Sequence, residues 1–307
     1  MDIPETAGVK PAAKRAGSRA ATIHALWRAM RPRHWVKNSF VLAGFLFTLN
    51  QGGITQRAPL ALLAVGCFCL LASAIYLFND VCDAEADRLH PKKRHRPIAA
   101  GALSPQLAVG AAIVLAGGGL GIAWLLGWKF LLAALSYVAL TVAYSLALKH
   151  LVILDVMAIA AGFVLRAVAG ALAIDVEISS WLLICTTLLA LLLGLSKRRV
   201  ELALVDRAAD HRRILEQYTL DMLDQMITVV TAATLMAYML YTFLASTQVG
   251  RPALMLTIPF VVYGILRFLY LAQRQEAGGL EELLKDPGIL VTVALWGATC
   301  GAILLFR

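Results

Sequence analysis

The chain has 307 residues, 60% of them hydrophobic and only 15% charged, with a formal net charge of +9. So large an apolar share exceeds what the core of a soluble domain this size requires, which argues against a water-soluble enzyme. The basic residues sit against apolar stretches without interleaved base-stacking aromatics, which argues against a nucleic-acid partner.

In chain order, residues 1–25 come first. Segments such as "VKPAAKRAGSRAA" offer almost nothing to bury, so a disordered basic tail is expected there, followed by a single transmembrane domain over 26–307. Nine apolar stretches long enough to cross ~30 Å of hydrocarbon as helices follow. They lie near 36–52, 59–80, 105–127, 129–148, 151–173, 179–196, 224–247, 253–272 and 287–306. A soluble helical bundle would show polar faces at helical spacing, and "LLICTTLLALLLGL" has none. No small-residue cleavage pattern follows the first stretch, so it reads as a retained helix rather than a signal peptide. Four of the five cysteines (Cys67, Cys69, Cys185 and Cys300) fall inside expected spans, and their spacing matches neither a disulfide framework nor a zinc site. The expected fold is therefore all-α: a polytopic membrane bundle of about nine helices.

Alternate connections of such a bundle lie on opposite sides of the membrane. Twenty-three of the 28 lysines and arginines fall on one side, four on the other, and Arg166 lies inside a span. By the positive-inside bias, the N-terminus and the charged connections face the cytoplasm, as expected for a multi-pass protein of the plasma membrane. The positive charge thus belongs to one face, where it suits anionic headgroups or a phosphorylated substrate.

The most informative connection is "YLFNDVCDAEADRLHPKKRHRPIAAG", residues 76–101, at the charged end of the second stretch. On a helix, Tyr76, Asn79, Asp83 and Asp87 succeed one another at +3, +4 and +4 and form one stripe, with Asp80 beside it. Like charges at that spacing repel. The arrangement makes sense if a divalent cation sits among the oxygens, above all Mg2+, which uses few carboxylates and shares its shell with water and phosphate. Arg88, Lys92, Lys93, Arg94 and Arg96 then supply donors suited to phosphate oxygens. Metal and cations together point to a diphosphate. The competing reading is a solvated loop whose carboxylates balance its own arginines.

The motif N-D-x-x-D-x-x-x-D on the second of nine spans resembles the first aspartate-rich motif of the UbiA superfamily of membrane prenyltransferases. Further segments resemble one branch of it, the decaprenyl-phosphate phosphoribosyltransferases. They are "RPRHWVKN" (31–38), "HPKKRHRPIAAG" (90–101), "YSLALKH" (144–150), "LDVMAIAAGFVLRAVAGA" (154–171) and "LSKRRVEL" (195–202). The resemblance runs from about residue 30 to the end. It implies a helical bundle with a cytoplasm-facing active-site cavity, Mg2+, phosphoribosyl diphosphate (PRPP) as donor and a polyprenyl phosphate as acceptor. The product would lead toward a lipid-linked arabinose donor for cell-wall arabinogalactan.

Carried over by motif, Asp83, Asp80 and Asp87 are the expected catalytic carboxylates, and Asn79, Asp83 and Asp87 the expected metal ligands. Tyr76, Lys93 and Arg94 would contact the donor, and Lys37 would close the phosphate site from another side. The sequence departs from the superfamily between the sixth and seventh spans. Members that move prenyl groups usually carry a second aspartate motif there, and this chain reads "SKRRVELALVDRAADHRR", with Lys197, Arg198 and Arg199 in place of aspartates. Asp206 and Asp210 still form a D-x-x-x-D. An acceptor phosphate is already an anionic nucleophile and needs no strong base, so cations that hold it suffice. Lys149, Lys197 and Arg198 stand at suitable span ends. The histidines, including His90 and His95, read as interfacial.

Arg166 lies well inside the fifth stretch, where an arginine costs ~2.5 kcal/mol or more and so requires a partner or a cavity. Helix locking and substrate contact are both open to it. Asp155, eleven residues earlier and about 16 Å along the axis, is too far to pair with it directly. Asp175 and Glu177 read as span-ending charges. The alternative function is a UbiA-type prenyltransferase moving a prenyl group from a prenyl diphosphate to an aromatic or other acceptor. Assembly as a homo-oligomer is left open.

Overall fold

A computed structural model describes residues 19–46, 53–89, 93–205, 217–248, 252–274 and 280–305. Among these, every regular element is helical. The order is α1 (Arg19–Ala29), a 3-10 helix (Pro32–Leu42), α2 (Ala43–Leu46), α3 (Ile54–Cys82), α4 (Ala84–Leu89), α5 (Pro105–Leu125) and α6 (Trp128–Leu146). There follow α7 (Leu154–Ala173), α8 (Ser180–Val205), α9 (Leu220–Gln248), α10 (Ile258–Gln273), α11 (Leu280–Leu283) and α12 (Pro287–Leu305).

Among the described residues, seven helical segments are long and apolar enough to cross a membrane: α3, α5, α6, α7, α8, α9 and the run Ala253–Gln273 that contains α10. The ninth expected stretch forms a shorter apolar helix. The first, 36–52, departs in its winding, because it opens as a 3-10 helix before passing into α2, and 47–52 lie outside the described residues. Its tight winding accompanies a very close approach to α7. A Cβ at Gly170 would come within 1.8 Å of the Val41 carbonyl oxygen, so only glycine allows the two backbones to meet. The expected tail is also revised. Residues 1–18 lie outside the described residues, but 19–25 are helical in α1, whose Ala25 and Ala29 are buried against Leu77 and Ile98.

Helix α7 holds the middle of the bundle. Its buried positions are mostly small, including Ala158, Ala160, Gly162, Ala167, Ala169 and Gly170, which lets neighbouring helices approach closely. One core cluster joins Val41, Phe68, Leu71, Phe130 and Tyr137 to Ala169 of α7. A second joins Val156 of α7 to Leu192, Leu223, Ile265 and Phe268. Residues of the 3-10 helix, α3, α6, α7 and α8 line a cavity.

Two local features place the site. Helix α3 ends at Cys82, Asp83 takes φ −91° and ψ 4°, and the chain re-enters helix as α4. Ile153, just before α7, has φ 68° and ψ −47°, an outlying conformation for a β-branched residue. It is held there by its N–H, which donates to the Tyr218 hydroxyl at 2.7 Å.

Candidate active site

The cavity has a volume of about 520 Å³ and takes its walls from the 3-10 helix, α3, α6, α7 and α8. Seven lysines and arginines line it against two carboxylates, Asp80 and Asp83. Of the expected site residues, Lys37, Tyr76, Asn79, Asp80, Asp83, Lys149, Arg166, Lys197 and Arg198 all contribute to this wall. They come from five separate parts of the chain. Asp87, Lys93 and Arg94 do not line it, and Asp206 and Asp210 lie outside the described residues.

On α3 the stripe divides by role. Asp83 is half-exposed and faces Lys149, whose Nζ stands 3.9 Å from its Oδ1. Asp80 is buried, and its Oδ1 accepts from Arg31 at 2.5 Å and from Arg96 at 3.2 Å. Its Oδ2 is buried without a hydrogen-bond partner among the described residues. Asp87 departs from the expectation of a metal ligand. Its buried carboxylate accepts from Arg96 at 2.6 Å, so it anchors the basic run to α4 instead of facing the cavity. In that run it is Arg96, three residues past Lys93, that reaches back to the stripe, while Lys93 and Arg94 form a short 3-10 turn with His95.

Among the described residues no three His, Cys, Asp or Glu side chains are grouped closely enough to hold a metal by themselves. Asn79 and Asp83 at the wall, with the orphaned Oδ2 of Asp80, nevertheless fit a small hard cation that completes its shell with phosphate and water.

Opposite this arm, Lys149 follows α6 and Lys197 lies on α8. Lys197 is exposed. Its neighbour Arg198 departs from the expected phosphate contact. It is 1% exposed, and its Nε donates to Asp155 at 2.6 Å, Nη1 to Glu201 and Nη2 to the Tyr144 hydroxyl at 3.0 Å. Asp155, fully buried, also accepts from Tyr218 at 2.8 Å. Burial, reinforced by the Asp155 carboxylate, pushes the Tyr218 hydroxyl up to about 12, which keeps it protonated as a donor. Arg198 is thus a clamp joining α6, α7 and α8 through Tyr144, Asp155 and Glu201.

At the inner end stands Arg166, 6% exposed. Its Nε donates to Asn38 at 2.9 Å, Nη1 to the Gly162 carbonyl at 2.8 Å and Nη2 to the Tyr137 hydroxyl at 2.7 Å. Tyr137 and Phe163 present ring faces to it at 4.5 and 5.4 Å.

The sequence reading passed over Arg31, Asn38, Tyr137 and Tyr144. Tyr137, Thr141 and Tyr144 follow one another at +4 and +3 along α6, a polar stripe inside an apolar span that marks a cavity-facing side. Arg31 carries φ 55° and ψ 61° where α1 meets the 3-10 helix, and lies over the Tyr76 ring at 5.0 Å.

Comparison with known proteins places these features in a family context. The sequence pattern described as the UbiA prenyltransferase family matches residues 38–284. A decaprenyl-phosphate phosphoribosyltransferase of Mycolicibacterium smegmatis is 36% identical over 305 residues, covering 95% of this chain and 96% of that protein. The one from Corynebacterium glutamicum is 36% identical over 280 residues, covering 89% and 84%. Among solved structures, a UbiA homolog from Archaeoglobus fulgidus bound to GPP and Mg2+ superposes with a TM-score of 0.70 at 19% identity. That superposition covers 91% of this chain and 99% of the other.

Proposed function

This chain belongs to the UbiA prenyltransferase family, and from that premise we propose that it transfers 5-phosphoribose from PRPP to a polyprenyl phosphate, decaprenyl phosphate by the names of its relatives. Diphosphate is released. The product is a polyprenyl-phosphoryl ribose 5-phosphate, a step toward a lipid-linked arabinose donor for cell-wall arabinogalactan. The observation that carries this reading is the cavity wall, where Lys149 and Lys197 stand among seven lysines and arginines against the carboxylates Asp80 and Asp83 alone among the described residues.

The division of labour follows from the charges. Asn79 and Asp83, with Asp80, would hold Mg2+, which would supply charge neutralisation for the departing diphosphate. Tyr76 and Lys37 flank that position on the wall. Lys149 and Lys197 draw in the lipid phosphate and orient one of its oxygens toward C1 of the ribose. That oxygen forms the new bond to C1 as the C1–O bond to diphosphate breaks and its electron pair leaves with the diphosphate. The configuration at C1 inverts. No proton has to be removed from the acceptor, so positioning and electrostatics supply the rate enhancement. In this reading the mouth faces the cytoplasm, the source of PRPP, from the plasma membrane.

Donor choice is the test. Purified protein in detergent with Mg2+ is offered labelled PRPP with polyprenyl phosphate, or a labelled prenyl diphosphate with an aromatic acid. Label entering lipid only from PRPP is expected. Transfer of the prenyl label instead would overturn the proposal.

A further inference from the structure

Arg166 has a charge that faces the Tyr137 and Phe163 rings but that no described carboxylate balances. The other deeply buried arginine, Arg198, meets two carboxylates, and the less buried Arg31, Arg96, Arg199 and Arg267 each meet at least one. Arg166 meets none among the described residues. Its three hydrogen bonds are all to neutral groups, and a guanidinium has five N–H donors, so two remain. It also lines the cavity. A buried cation with hydrogen bonds and ring contacts but no counter-charge is costly, and an anion reaching it would offset that cost.

Depth indicates which anion. Arg166 is joined through Asn38 to Cys69 of α3, where the Asn38 amide donates to the thiol at 3.2 Å. Cys69 lies ten residues before Asn79 on the same helix, about 15 Å along its axis. Side-chain reach and a metal coordinated at about 2 Å take up part of that distance. The remainder suits the separation of the two phosphorylated ends of PRPP, roughly 8 Å by a bent path of covalent bonds of about 1.5 Å each. An allylic tail in the same place would leave a guanidinium facing hydrocarbon.

We infer that Arg166, set in place by Asn38 and Tyr137, seats the 5-phosphate of the donor at the inner end of the cavity and selects a phosphorylated pentose over an apolar chain. The inference rests on the phosphoribosyl reading and adds to it a second anion subsite, remote from the diphosphate.

A substrate truncation separates binding from helix locking. Wild-type and R166Q protein are assayed with PRPP and with ribosyl 1-diphosphate, which lacks the 5-phosphate. In wild type, removing that group should lower kcat/KM about ten- to a hundredfold, the scale of one or two charge-assisted hydrogen bonds. In R166Q the same truncation should change kcat/KM by less than about threefold, because the partner is already gone. An R166Q enzyme that loses equal activity on both donors and keeps the wild-type discrimination would make Arg166 a helix lock and overturn the inference. If R166Q does not fold, footprinting of wild type with an arginine-selective dicarbonyl gives the answer. PRPP and ribose 5-phosphate should each protect Arg166, and ribosyl 1-diphosphate should not. Equal protection by all three, or none by any, overturns it. Wild type that turns over no PRPP at all would sink the phosphoribosyl reading itself, whereas wild type that uses both donors equally would sink only the subsite.

Discussion

Replacing Arg198 with Gln separates a clamp from a substrate contact. Arg198 is 1% exposed and Asp155 fully buried, and their 2.6 Å bond joins α8 to the start of α7. Truncating one partner of such a pair leaves an uncompensated carboxylate in the interior, a loss of about 3–5 kcal/mol. Glutamine cannot span to Asp155, Glu201 and Tyr144 together, so Asp155 would retain only the Tyr218 hydroxyl and the local helix charge. Lys197, one residue earlier and exposed, makes the control: its replacement by Gln should alter stability by less than about 0.5 kcal/mol. The assay is thermal unfolding in detergent by intrinsic fluorescence, paired with the KM for polyprenyl phosphate measured on the protein that remains folded. R198Q should melt well below wild type with a nearly unchanged lipid KM, and K197Q should do the reverse. In a double-mutant cycle, D155N with R198Q should be less destabilised than the two single losses summed. An R198Q protein that melts with wild type while its lipid KM rises tenfold would refute the clamp and return Arg198 to the acceptor site.

Asp83→Asn should abolish turnover in a protein that still folds and inserts, and chelation of divalent cations should do the same to wild type reversibly; a fully active D83N enzyme would remove Asp83 from the metal site. Lys197→Ala should raise the apparent KM for polyprenyl phosphate about ten- to a hundredfold and that for PRPP far less, while Lys93→Ala, whose side chain is off the cavity wall, should shift both by less than threefold. Equal effects of K197A on the two substrates would mean one shared phosphate cluster. Gly170→Ala would drive a methyl group into the Val41 carbonyl, so poor recovery of folded protein is expected, and a normally folded G170A would show that the 3-10 helix can shift away from α7.

Features repeated at helical spacing were legible in the sequence. The stripe of Tyr76, Asn79 and Asp83 reaches the cavity as its period requires, and Lys197 and Arg166 meet it there from α8 and α7, with Lys149 from the turn after α6. Pairing across the chain was not legible. Arg31 finds Asp80 at a separation of 49 residues and Arg198 finds Asp155 at 43, and no local period encodes which of several cations a buried carboxylate will take. Asp87 shows the same limit, since α3 ends at Cys82 and Asp87, on α4, takes Arg96 as its partner away from the cavity wall. The sequence excluded Asp155 as a direct partner of Arg166 on axial distance but had no means of supplying Arg198. Winding of the first apolar stretch was hidden for a related reason. Its 3-10 form accompanies contact with Gly170, a glycine that single-sequence reading sees only as one small residue among many on α7.

The central claim is that a lipid phosphate displaces diphosphate from C1 of PRPP, and a doubly labelled donor tests it most directly. PRPP carrying one label in the ribose carbons and a second in the β-phosphate is incubated with reconstituted protein, Mg2+ and polyprenyl phosphate, and the organic and aqueous phases are then counted. The account predicts the ribose label in the lipid and the β-phosphate label in aqueous diphosphate, in equal molar amounts. Both labels moving together into the lipid, or neither leaving the aqueous phase, would contradict it.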